Sequence, residues 1–318
     1  MSDIVNVGIC TVDAIAQTVD EMPPRGGLRL FDTLTLSTGG NAVNCSIALA
    51  KLGVACDLIV KVGADTFGDF VLAEVKRYGV GTAGVIRDEQ THTPFTFVCG
   101  HSDGQRSFIH TMGANATIRA ADVELSIIKR AKFCFLTGTM IMTALDGPES
   151  AVLLAGAHEF GCVTLLDTVY DDTAPKQRWR SVIDPVLPHL DYFVPSQLEA
   201  RAITGLTEPA EMARDFQGHG CRNVVIKLDT DGAFVRTADG VEERVPAYHV
   251  EKIVDTTGAG DCWSAGFLTG LRAGEAVPDA ALLGNAVAAH GIQAPGASAG
   301  IVTLDRVREF QKTTPLRA

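Results

Sequence analysis

No two of the eight cysteines (Cys10, Cys45, Cys56, Cys99, Cys134, Cys162, Cys221, Cys262) are spaced C-x-x-C. None of the eight histidines falls in H-E-x-x-H or a Cys/His ligand spacing, which excludes the usual structural-zinc frameworks. Several of the cysteines lie in apolar runs such as Phe133-Cys134-Phe135, where a buried, reduced thiol is expected. Aromatic residues make up only 6% of the chain, too few for base-stacking platforms. Basic residues are in deficit, 27 Lys+Arg against 38 Asp+Glu, and the net charge of −11 argues against partners such as nucleic-acid backbones or anionic membranes. Long hydrophobic runs are also missing. The longest uncharged stretch, 280–304, is broken by Gly284, Asn285, Gly291, Pro295 and Gly296 and reads as a helix and a loop, not a membrane span. The opening MSDIVNVGIC has no basic segment, so no secretory signal and a cytoplasmic location are expected. Three nucleotide signatures are absent as well: G-x-x-x-x-G-K-[ST], a strand followed by G-x-G-x-x-G, and an H-R-D/D-F-G pair.

What remains is a well-filled chain of 318 residues, 46% hydrophobic and 20% charged, enough for a substantial core. Short apolar runs predict strands at 4–10, 58–62, 133–136, 163–166, 192–194, 224–228 and 233–237. Helical patterns fall at 42–52, 67–78, 148–160, 197–204, 209–217, 259–272 and 279–290. The alternation implies a doubly wound α/β fold, with a mostly parallel sheet and helices on both faces. Two regions break it. Residues 21–38 and 91–111 are short alternating segments with turn signals, the second reading as a hairpin of 93–99 and 106–111 around Ser102-Asp103-Gly104-Gln105. They predict a small β-sheet, drawn from about 14–38 and 91–112, that covers a site or pairs with a second subunit. The whole of 1–318 is read as one domain.

Three segments carry chemistry. In Asp255-Thr256-Thr257-Gly258-Ala259-Gly260-Asp261 a glycine-rich loop runs straight into a helix. Backbone N–H groups of Gly258, Ala259 and Gly260 can converge there on an anion, with Asp261 in the first turn. Taken alone, the same residues are a tight turn and a helix cap. In Ser37-Thr38-Gly39-Gly40-Asn41-Ala42-Val43-Asn44 the paired glycines allow a close backbone approach and Asn44 offers a donor and an acceptor, or else a solvated helix start. Val62-Gly63-Ala64-Asp65-Thr66-Phe67-Gly68 reads mainly as a strand end with a capped helix.

In this order and at these separations the three segments resemble the ribokinase-like (PfkB) family of carbohydrate kinases. G-G-N-A-V-N with the downstream Leu52-Gly53 is similar to the family's N-terminal pattern, and D-T-T-G-A-G-D-x-x-x-A-G-F to its C-terminal one. Gly113-Ala114-Asn115 and Asn285-Ala286 also sit where the family has them, so the likeness covers nearly the whole chain. It implies a ribokinase-like fold with a β lid, and ATP-dependent phosphorylation of a hydroxyl on a small carbohydrate. Asp261 would be the catalytic base, and Gly258, Ala259 and Gly260 the anion hole. Asp13, Gly39, Gly40 and Asn44 would bind sugar, with Arg106 facing either substrate or solvent. Ser196, Lys227, Asp229, Gly232 and Asn285 would lie along the nucleotide, and Glu199 near Mg²⁺ through water. Asp255 and Thr257 occupy positions that hold a monovalent cation such as K⁺ in some relatives, although loop hydrogen bonding accounts for them equally.

The sequence departs from the pattern in two places. The usual P-N-x-x-E is Pro195-Ser196-Gln197-Leu198-Glu199, and Asp229 replaces a glycine beside the nucleotide, where its charge would oppose phosphate. Asp167-Thr168-Val169-Tyr170-Asp171, with Trp179 beyond, is only loosely similar to the D-x-N-x-R…W run of relatives acting on keto-sugar acids. Ser196 and Asp229 favour a non-catalytic sugar- or nucleotide-binding relative as one alternative, a nucleoside kinase of the same fold is another, and a homodimer through the lid strands stays open.

Overall fold

The computed structural model describes residues 2–103 and 105–317; the Gly104 of the expected hairpin turn lies outside them. In chain order the strands are β1 (Ile4–Gly8), β2 (Thr11–Gln17), β3 (Thr33–Gly39), β4 (Cys56–Ile59), β5 (Lys61–Gly63), β6 (Ile86–Asp88), β7 (Phe95–Gly100), β8 (Arg106–Thr111), β9 (Phe133–Thr139), β10 (Val163–Thr168), β11 (Tyr192–Phe193), β12 (Asn223–Lys227), β13 (Ala233–Arg236) and β14 (Glu242–Val245). The helices are α1 (Asn41–Lys51), α2 (Thr66–Arg77), α3 (Leu125–Ile128), α4 (Pro148–Glu159), α5 (Lys176–Ile183), α6 (Gln197–Thr204), α7 (Pro209–Gly218), α8 (Ala259–Arg272), α9 (Val277–Gly291) and α10 (Leu304–Thr313).

The main sheet has eight strands in the order β14-β13-β12-β11-β10-β9-β1-β4. The six from β12 to β4 run parallel, and β13 and β14 close one edge antiparallel. Successive side chains on each strand enter two different cores, which is why these runs are apolar throughout instead of alternating. Phe133, Phe135, Leu165 and Val225 pack with residues of α1, α2, α8 and α9, whereas Cys134, Leu136, Leu166 and Ile226 pack with residues of α3 to α7. Helices thus cover both faces of a largely parallel sheet, as the alternation of the sequence implies.

A separate four-stranded sheet, β3-β2-β7-β8, lies beside it. Its β7–β8 hairpin falls where the turn signals put it. Its centre does not: β2 follows β1 after two residues and pairs with both β3 and β7, while 18–32 contributes no strand. The near-continuous apolar run Ile4 to Cys10 hid the break between β1 and β2. The expected strand 58–62 is likewise two, with Val60 between β4 in the main sheet and β5, which pairs with β6. Helices α5 and α10 were passed over because each is charged outside one narrow apolar stripe, Trp179, Val182 and Ile183 in α5 and Val307 in α10. All eight cysteines are buried and free. Among the described residues, no helix is long and apolar enough to cross a membrane.

Candidate active site

The parallel strands end on one side of the sheet, where the chain turns into helices, and open α/β sheets present their ligand crevices there. A cleft of about 720 Å³ is lined by Asp167, Ser196, Glu199, Lys227, Asp229, Gly232, Asn285 and the segment Gly258, Ala259, Gly260 and Asp261. Its far wall is apolar, with Val250, Ile253, Ala289 and Ile292.

At the centre is the start of α8. Gly258 is its N-cap at φ 71°, a left-handed conformation, and a side chain there would run into Ala297. The Ala259 N–H donates to Thr256 O at 3.1 Å, so of the three expected anion-hole groups this one is already partnered. A Cβ on Gly260 would meet only the Lys227 Nζ, at 3.6 Å, which puts a cation over the positive end of a 14-residue helix. Asp261 is 5% exposed. Its two oxygens accept hydrogen bonds from Asn41 Nδ2 at 2.7 Å and Asn44 Nδ2 at 2.8 Å. Asn41 and Asn44 are three apart on α1 and so share one helical face. Gly40, at φ 92° with no room for a Cβ beside Ile9 and Cys10, turns the chain into α1 so that this face meets Asp261. Burial pushes the Asp261 carboxyl up to about 7, the nearby Asp167 adds to that, and the two asparagines and Lys227 pull against it.

Lys227 is held by a 2.6 Å ion pair with Asp167, its side chain 13% exposed and Asp167 almost fully buried. Asp167 Oδ2 also accepts from Ser264 Oγ at 3.5 Å, one turn along α8 from Asp261. The lysine expected to meet phosphate is therefore occupied by a carboxylate in this structure. Ser196 and Glu199 form a capping box at the start of α6: the Ser196 N–H donates to Glu199 Oε2 at 2.6 Å and the Glu199 N–H to Ser196 Oγ at 3.3 Å. One oxygen of the buried Glu199 is thus taken and the other is left for a ligand. Among the described residues no three His, Cys, Asp or Glu side chains are grouped to hold a metal ion. Mg²⁺ keeps several waters and takes phosphate oxygens with one or two carboxylates, and Glu199 fits that requirement.

Asp229 is exposed at φ 56° and tolerates the conformation that favours glycine at this position. Gly232, at φ 90°, has no space for a side chain against Val245. Asn285 accepts from Trp263 Nε1 at 2.8 Å and donates to Val245 O and Pro246 O, so its amide ties α8 to the end of β14 although it borders the cleft. Trp179 is buried in the core and Tyr170 is half-exposed at the cleft, where the two rings meet at 6.1 Å.

The small sheet adjoins the cleft without lining it. Asp13, on β2, packs so closely on Gly39 of β3 that a Cβ there would collide with its carboxylate. Burial raises the Asp13 pKa, and hydroxyls of Thr96 and Thr11 moderate the rise. Arg106, the first residue of β8, reaches Asp255 in a two-pronged pair at 2.9 and 3.1 Å and Thr257 Oγ1 at 2.9 Å. The two residues considered for a monovalent cation thus face a guanidinium, and the arginine considered for substrate faces them.

Asn41 and Asp167 are the residues of this arrangement to which no role fell in the sequence. Asn41 stands at helical spacing from Asn44, which was signal enough. Asp167 closes a buried strand, and nothing local in the sequence tells that β12 brings Lys227 to it.

A family model described as pfkB family carbohydrate kinase matches residues 1–304. The chain is 26% identical over 294 residues to a 2-dehydro-3-deoxygluconokinase of Bacillus subtilis (strain 168), covering 90% of each. It is similar in structure to an Arabidopsis thaliana ribokinase complexed with ribose and ATP, with a TM-score of 0.85 and 22% identity over 98% of this chain and 99% of the other. An E. coli protein solved in complex with ATP and Mg²⁺ gives a TM-score of 0.80 at 23% identity, over 98% and 99% of the two chains.

Proposed function

Since this chain belongs to the pfkB family of carbohydrate kinases and is a phosphotransferase acting on a sugar hydroxyl, we propose that it transfers the γ-phosphoryl group of ATP to a small free carbohydrate with Asp261 as general base. The observation that carries this reading is the Asp261 carboxylate, gripped by Asn41 and Asn44 at the head of α8 and next to Lys227. With both oxygens oriented by amide donors, lone pairs remain to accept the proton of a sugar hydroxyl. The hydroxyl oxygen bonds to the γ-phosphorus as the bond to the β-phosphate oxygen breaks, ADP leaves, and the proton stays on Asp261. A base titrating near neutrality is suited to this task.

The backbone at Gly258 and Gly260, the dipole of α8 and the Lys227 ammonium offset the charge of the transferring group. The apolar wall of Val250, Ile253, Ala289 and Ile292 suits a nucleobase. Glu199, through its free oxygen and a water, would meet Mg²⁺, which neutralises charge on the β- and γ-phosphates when bound. Asp13, Gly39 and Asn44 form the floor for the sugar, and the four-stranded sheet acts as its lid. The lid excludes water that would otherwise take the phosphoryl group.

The test is an ADP-release screen over sugars, sugar acids, polyols and nucleosides, followed by Asp261→Asn on the acceptor found. Loss of ~10²–10⁴-fold in kcat with sugar affinity retained is expected. Near-normal turnover by the variant would remove Asp261 from the mechanism, and turnover of nucleosides alone would replace the acceptor class.

A further inference from the structure

We infer that Arg106 is a positioning residue for phosphoryl transfer: it fastens the lid to the anion-hole loop by way of Asp255, so that lid closure and the shape of that loop are one event. The inference rests on the reading of Asp261 and the head of α8 as the reaction centre.

Asp255 lies three residues before Gly258 and is a knot of contacts. Its Oδ1 accepts from the Thr257 N–H at 3.0 Å and its Oδ2 from the Gly296 N–H at 2.9 Å, while its own N–H donates to Ile292 O at 3.2 Å. These bonds join the loop entering α8 to the loop leaving α9, and Gly258 then packs against Ala297 of the second loop. The Arg106 guanidinium completes the knot from outside. One Nη reaches Oδ2 at 2.9 Å, while the other is shared between Oδ1 at 3.1 Å and Thr257 Oγ1 at 2.9 Å. Arg106 arrives from 149 positions away in sequence, on the edge strand of a sheet that does not pair with the main one. The side chains of β8 are largely exposed and its ladder runs to β7 of the same small sheet, so Arg106 is its tie to the loop before α8.

The pair is not a surface ornament. Asp255 is 6% exposed by its side chain and Arg106 38%, so the carboxylate is dry while the guanidinium retains a path to water. A bidentate, charge-assisted pair of this kind fixes orientation as well as distance. Burial alone would raise the Asp255 pKa, yet Arg106 and the N–H groups of Gly296 and Thr257 hold it far below the usual carboxylate range. Swinging the lid away leaves a buried anion without its cation, which strains the loop just where the α8 N-terminus must be shaped for phosphate.

Hydrogen exchange on the ligand-free full chain tests the coupling without any substrate. In Arg106→Gln, amides of both β8 and 255–260 are expected to exchange about tenfold faster or more, the scale of a lost charged hydrogen bond. Arg106→Lys, which keeps charge but not the fork, should fall between, and in Asp255→Asn the further change Arg106→Gln should add little. Added guanidinium ion should slow exchange at 255–260 in Arg106→Ala. Acceleration confined to β8, or none in either segment, overturns the inference. With the acceptor from the screen in hand, Arg106→Gln should lower kcat about tenfold while the KM for ATP stays within about twofold; a rise in KM alone would also overturn it. Failure of the screen to find any acceptor would count against the proposed function and leave the exchange result standing.

Discussion

Asp261 is buried among groups of both signs. Asn41, Asn44 and Cys45 face it from α1, Asp167 from β10 and Lys227 from β12, with Cys262 its neighbour on α8. Because free-enzyme kcat/KM reports the free-enzyme pKa, its acid limb should fall near pH 7, with activity rising as the carboxyl loses its proton. Asp167→Asn removes a negative neighbour while Lys227 stays, so the limb should move to lower pH. The same change leaves Lys227 short of its closest partner and should cost about 3 kcal/mol of stability by denaturant unfolding. A limb that moves upward would show that Asp167 does not act on Asp261. Asp229 is a second test at this scale. Asp229→Gly removes a carboxylate at the cleft and suits φ 56°, so stability should stay within about 1 kcal/mol and the KM for ATP should fall roughly fivefold. An unchanged KM would mean that the carboxylate points clear of the phosphates. Local motifs made Gly258, Gly260, Asp261 and Asn44 legible, because a glycine loop running into a helix is a property of neighbours in sequence. Partners were not legible. Lys227 was expected to await phosphate and instead holds Asp167, sixty positions earlier in the chain.

Among the elements, α8 and α9 approach most intimately. A Cβ on Gly266 would come within 2.9 Å of Gly284 Cα and Leu283 O, and one on Gly270 within 2.7 Å of Ala280 Cα. Trp263 lies across Gly284 and stacks on Phe267 at 5.0 Å. Gly266→Ala should therefore push the helices apart and cost about 1–3 kcal/mol, read as a lower denaturant midpoint. Since α8 carries Asp261, kcat should fall with it; a variant as stable as the parent would show slack between the helices. The A-G-F of the motif is thus a packing requirement as much as a chemical one. Helices with broad apolar faces, such as α1 and α2, were readable to within a residue or two. The thin stripes of α5 and α10, and the seam between β1 and β2 inside one apolar run, were not, because period alone does not mark where a strand changes sheets.

For the molecule as a whole, the small sheet has two unlike faces. Asp13 and Arg106 share one face, from which Arg106 reaches Asp255. The opposite face carries the row Leu36, Ala14, Phe97 and Ile109 in register, with Leu34 beside it and Phe31 edge-on to Phe97 at 6.2 Å. Leu34 and Ile109 are 56% and 52% exposed, and Leu28 and Leu30 of the preceding loop more so. Exposed apolar side chains grouped on one face mark a candidate interaction site, although Ala14 between them is buried, and the homodimer through the lid strands that the sequence left open would cover it. Sedimentation should then give twice the chain mass at micromolar concentration, and Leu34→Glu with Ile109→Glu should return it to one; a wild-type monomer would sink the idea. Alternating hydrophobicity made the existence of this sheet readable, but which face turned outward depended on β2, which the sequence concealed.

The thiols offer a gauge built into the chain. Cys99 sits in the small sheet and the other seven sit within or beside the two cores of the larger body. Cys99 faces the same side as Phe97 and packs with Ala16 and Val19. An alkylating reagent should leave the resting protein nearly untouched, then label position 99 first and on its own whenever the segment around Val19 opens, with the remaining seven following only at global denaturation. Mass spectrometry of the time course would separate the two clocks, one for local opening at the small sheet and one for collapse of the body.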